Sequence, residues 1–71
     1  MTHTEIYAKL QIVFTDIYNV TEEWFPNGKN SIRLKLMSNE EMIFTYRGTN
    51  NWSLETVDSY LERLSKGAID V

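Results

Sequence analysis

The chain has no cysteine, one histidine, one proline and three glycines in 71 residues. The lack of cysteine excludes disulfides, thiol catalysis and thiolate metal sites, and it leaves the redox compartment unmarked. The lone histidine, His3, stands near the chain start, where fraying is expected. A catalytic base needs a held geometry, so His3 reads as a surface residue. The apolar stretches are far too short to cross a bilayer, and no charged segment precedes an apolar one at the start; a soluble cytoplasmic protein without membrane contact is expected. The sequence also lacks a paired acid and base, a metal-ligand cluster and a phosphate loop, so no cofactor is expected.

What is present points to a folded globule. Apolar residues make up 42% of the chain and aromatics 13%, too many for a disordered tail. Residues 1–71 are read as a single small domain, near the lower size limit at which a core holds a chain without metal or disulfide help. Seven basic residues face ten acidic ones, a net charge of −3. That balance opposes generic polyanion binding, although a local basic patch can outvote it.

Ile6, Leu10, Val13, Phe14 and Ile17 lie on one face of an α-helix. Thr2 and Glu5 have the spacing of a capping box at its start, and Met1 and Ile6 that of a hydrophobic staple. After Tyr18 the period changes to two. Val20 to Phe25 reads as a first strand whose buried side is ambiguous, Glu22 and Trp24 lying on one side and Glu23 and Phe25 on the other. Pro26-Asn27-Gly28 signals a hairpin turn. Ser31 to Met37 alternates cleanly, with Ile32, Leu34 and Leu36 inward and Arg33 and Lys35 outward. Ser38-Asn39-Glu40 turns the chain again, after which Met42, Phe44 and Tyr46 face the core and Ile43, Thr45 and Arg47 face away. Gly48 to Asn51 reads as a polar loop. Ser53 is expected to cap a second helix, with Trp52 stapled against Val57 and the apolar stripe Leu54, Val57, Tyr60, Leu61 and Leu64. Lys66-Gly67 would end that helix, and a frayed tail would follow from Ala68.

The expected fold class is therefore α+β in the order αβββα: a three-stranded antiparallel meander with both helices packed on one face. The open face of the sheet would carry Arg33, Lys35 and Arg47, with Lys29 in the loop above and an aromatic from the first strand, Trp24 or Phe25, among them. These six residues form the candidate binding surface. Basic side chains interleaved with aromatics suit an anion or a nucleic acid. Cross-strand pairing with Glu22 or Glu23 would instead neutralise the patch. Glu55, Asp58 and Glu62, at helical spacing, read as a solvated acidic face, helped by a Glu62 to Lys66 pair.

The order αβββα is similar to that of the double-stranded-RNA-binding domain, which recognises its ligand by shape and phosphate contacts. That family opens its second helix with a Lys-Lys-x-Ala-Lys run and carries a Gly-Pro-x-His type loop. Here the helix opens on Asn50-Asn51-Trp52-Ser53-Leu54-Glu55, and the loop is Pro26-Asn27-Gly28-Lys29-Asn30. Ser53-Leu54-Glu55-Thr56-Val57 resembles the stretch of acyl carrier proteins in which a serine takes the phosphopantetheine arm, but Trp52 stands where that family has aspartate. Neither resemblance brings its site chemistry with it. The function expected from the residues is a small non-enzymatic interaction module that binds another protein or a second copy of itself, of the kind found among bacterial or phage accessory proteins. The alternative is a nucleic-acid-associated regulator using Arg33, Lys35, Arg47 and Lys29.

Overall fold

A computed structural model describes residues 1–65; the expected helix end at Lys66-Gly67, the Glu62 to Lys66 pair and the tail from Ala68 lie outside the described residues. The fold is α+β, and its sheet has four strands rather than three. In chain order the elements are α1 (His3–Val13), α2 (Thr15–Asn19), β1 (Thr21–Pro26), β2 (Ser31–Leu36), β3 (Glu41–Gly48), β4 (Asn51–Thr56) and α3 (Val57–Ser65). The sheet is an antiparallel meander in the order β1-β2-β3-β4.

The first helix starts as its sequence indicates. Thr2 Oγ1 accepts from the Glu5 N–H, and Glu5 Oε1 accepts from the Thr2 N–H, so two orphan donors of the first turn are satisfied. Met1, however, is 63% exposed and closes no staple. The expected single stripe from Ile6 to Ile17 is also broken at Phe14, whose φ of −133° and ψ of 68° are not helical. The cause is local. Thr15 Oγ1 donates to the Gln11 carbonyl at 2.7 Å, engaging the acceptor that the Thr15 N–H would use in an unbroken helix.

The inward face of the sheet is as the alternation predicts. Ile32, Leu34, Leu36, Phe44 and Tyr46 are buried together with Ile6 and Leu10 of α1. The first strand resolves its ambiguity with a bulge. Thr21 pairs with Leu36 and Trp24 with Leu34, so both face α1, while the extra residue between Thr21 and Glu23 leaves Glu22 free to reach Lys35 on the other side. The β2–β3 turn places Asn39 at φ 72°, a left-handed conformation that asparagine tolerates.

Two expectations fail together at the C-terminal half. The stretch expected to open a helix at Ser53 is strand β4. Trp52 pairs with Tyr46 and Leu54 with Phe44, and Trp52 stacks on the Tyr46 ring instead of stapling Val57. The cap is Thr56, whose Oγ1 accepts from the Ser59 N–H at 3.1 Å, so α3 begins at Val57. Because β4 intervenes, α3 leaves the sheet on the opposite side from α1. It packs on β3 and β4, over the face that carries Ile43 and Thr45. Both are buried, so β3 is covered on its two faces. The expectation that both helices share one side is thereby corrected.

Candidate functional site

The second face of the sheet, expected to be open, divides into two halves. Over β1 and β2 it remains exposed and carries Glu23, Phe25, Arg33 and Lys35. Phe25 lies opposite Arg33 and is 48% exposed, whereas Trp24 turns to the α1 side. There Trp24 stacks on Tyr7, and Tyr7 touches Tyr18, so the three rings form a cluster of their own. Burial pushes the Tyr7 phenol above its ordinary pKa, and the neighbouring Tyr18 adds to the shift.

The cations of this half have carboxylate partners. Arg33 Nε donates to Glu41 Oε1 at 2.6 Å, and Lys35 Nζ lies 3.5 Å from Glu22 Oε1. Exposed pairs of this kind add little stability, about 0.2 to 1 kcal/mol each, but they cancel the local charge. The expected basic stripe therefore does not run the length of the face. Arg33 and Lys35 sit among acids, and Lys29 and Arg47 lie apart from them at the β1–β2 turn end of the sheet.

At that end the fold adds a cation that sequence reasoning missed. Arg63 of α3 comes down beside Lys29 and Arg47 and, with Tyr60, roofs a small cavity of about 30 Å³. Its floor includes the hydroxyl residues Ser31 and Thr45, which pair across β2 and β3. Arg63 is anchored by Glu55 of β4 through its terminal nitrogen, while its Nε is buried without a hydrogen-bond partner among the described residues. No spacing rule links a strand carboxylate to a helix cation eight residues later, so the only available signal was the short distance of Arg63 from the apolar stripe.

The turn beneath this cavity is held from several directions. Gly28 N–H and Asn27 Nδ2 both donate to Ser31 Oγ, at 2.9 and 3.1 Å, and the Tyr46 N–H donates to the Asn30 carbonyl at 2.9 Å. A Cβ at residue 28 would stand 3.0 Å from Ser31 Oγ, so glycine is what lets the turn close on that hydroxyl. The last tie is His3, whose Nε2 lies 2.7 Å from the Gly28 carbonyl oxygen. The expected frayed surface histidine is thus a half-buried residue that fastens α1 to the turn, its Nε2 carrying the proton it donates.

Among the described residues no group of three or more His, Cys, Asp or Glu side chains is placed to hold a metal ion. No helix of the described residues is long and apolar enough to cross a membrane. Two further features lie on the outer side of the sheet's last strand and on the helix that follows it. Among the described residues the edge strand β4 has ladder hydrogen bonds to β3 alone, and Trp52 on it is 38% exposed. Beside it α3 has an apolar stripe but no buried residue, and Leu61 is 54% exposed. Comparison with protein-family models, with curated proteins and with solved structures found no match to this chain.

Proposed function

We propose that this protein is a small non-enzymatic interaction module that associates with a second copy of itself along the free edge of β4. The observation that carries this reading is the contrast between the two edges of the sheet. On β1 the edge is guarded by Pro26, by a bulge and by the adjacent charges Glu22 and Glu23, the devices that keep strands from pairing with strangers. On β4 the residues are Asn51-Trp52-Ser53-Leu54-Glu55-Thr56, with no proline, and the one charge is engaged by Arg63.

This strand is complementary to itself. An antiparallel pairing centred on Ser53 puts Trp52 of one copy across from Leu54 of the other, twice by symmetry, and Asn51 across from Glu55. Such a register keeps the α1-side apolar face continuous through both sheets. It also brings the two α3 helices to the same side, where their exposed Leu61 residues gain neighbours. The reading as a nucleic-acid regulator has less support, because Arg33 and Lys35 are paired with Glu41 and Glu22.

Sedimentation equilibrium over a range of protein concentrations tests the proposal, with Ser53→Lys as the matched variant. Two lysines would meet at the symmetry axis, where like charges directly opposite one another repel. A concentration-dependent dimer that Ser53→Lys abolishes, with an unchanged circular dichroism spectrum, supports self-association through β4. A chain that stays monomeric at every concentration overturns it.

A further inference from the structure

We propose that the cavity between α3 and the β1–β2 turn binds a phosphate-type oxyanion, a site independent of the β4 edge. The chain as a whole is acidic, yet three of its seven Lys and Arg residues, Lys29, Arg47 and Arg63, line this one cavity, and among the described residues that line it none is Asp or Glu, Glu55 pairing with Arg63 from behind. The three come from a turn, a strand and a helix, so the clustering is a product of the fold and not of a charged run. Glu55 sits behind Arg63 and fixes one end of its guanidinium. This leaves the planar fork oriented, with a buried Nε–H that has no hydrogen-bond partner among the described residues. A buried donor of that kind is costly to leave unmet and calls for a partner.

The hydroxyls supply further donors. Ser31 is 5% exposed, and its Oγ accepts from both Gly28 N–H and Asn27 Nδ2, which leaves its own proton to donate. A volume of about 30 Å³ holds a water molecule or two, or the oxygens at one end of an oxyanion whose remainder stays at the mouth. A tetrahedral group fits such a set of converging donors. Several cations around one point favour a phosphate, with about −1.5 to −2 charge at neutral pH, over a singly charged carboxylate. Because Gly28 is tied to both Ser31 and His3, the site is organised before any ligand arrives.

The test is a heteronuclear NMR titration of the nitrogen-15-labelled chain with inorganic phosphate and, separately, with phosphoserine. Sodium chloride at matched ionic strength is the control. Saturable shifts of the Gly28 and Ser31 amides and of the Arg63 Nε–H, absent with chloride, are the expected result. Stronger binding of phosphoserine identifies a phosphate monoester as the ligand, and equal binding identifies the free ion. Lys29→Gln, at an exposed position, should raise the Kd about tenfold, the loss of one charge-assisted contact. Arg63→Lys keeps the charge beside Glu55 but removes the Nε–H, and it too should weaken binding while the fold is retained. Shifts identical to those from chloride, or a phosphate response that both variants leave unchanged, would overturn the proposal.

Discussion

The indole of Trp24 stacks on the ring of Tyr7, with centroids 5.1 Å apart and planes 16° from parallel. This contact joins edge strand β1 to α1 and decides which face of the strand is inward. Trp24→Ala should therefore destabilise the protein by about 2 to 3 kcal/mol, somewhat below the loss at a fully buried tryptophan. Phe25→Ser, one residue on and facing solvent, should stay within about 0.5 kcal/mol of the parent. Urea titrations of the two variants read the difference directly, and equal losses would contradict the assignment of faces.

Ile43 and Leu34 are both buried to within 1% but lie on opposite faces of the sheet. If α3 covers the face of Ile43, replacing either residue with alanine should cost about 2 to 5 kcal/mol, a large part of the stability of so small a chain. A thermal melt of Ile43→Ala close to that of the parent would mean that α3 does not pack there.

The start of α3 gives a sharper local test. Thr56→Ala removes the oxygen that accepts from Ser59 N–H and should cost about 0.5 to 2 kcal/mol. Ser53→Ala, in the middle of β4 and exposed, should cost far less. The reverse order in guanidinium melts would restore Ser53 as the cap.

A fourth outcome concerns acid. The Thr2 N–H donates to Glu5, and this bond, with the Thr2 hydroxyl adding to it, holds the carboxyl below the ordinary glutamate range. A depressed folded-state pKa contributes stability above the unfolded value, and that contribution is lost as pH falls through the folded value. The Thr2 amide resonance should accordingly titrate below the normal glutamate midpoint. In Glu5→Gln that step should disappear, with the helix start otherwise in place.

Much of this fold was legible because burial on one face of a sheet imposes an alternation that chemistry makes visible. Ile32, Leu34 and Leu36 inward, with Arg33 and Lys35 outward, could take only one register. The stretch from Asn51 to Leu64 was ambiguous for a physical reason. Leu54, Val57, Leu61 and Leu64 satisfy a helical period, while Trp52, Leu54 and Thr56 satisfy a strand period, and a six-residue strand is too short for periodicity to arbitrate. Tertiary pairing with Tyr46 and Phe44 settled it. The same shift sent α3 to the other side of the sheet and brought Arg63 to Lys29 and Arg47, a grouping with no linear trace. Lys29 and Arg47 were recognisable as surface cations, but their company was set by the path of the chain.

Among the described residues, every strand of the sheet is bonded only to its neighbours in sequence. Each pairing therefore closes a short loop, and the entropy of closure is met in small steps instead of one large one. A chain arranged in this way should reach its native pairing quickly, on the order of milliseconds, because no strand waits for a distant partner to arrive. The sheet can grow in the direction in which the chain is read, one hairpin at a time, so that unpaired backbone is exposed only briefly before the next strand covers it.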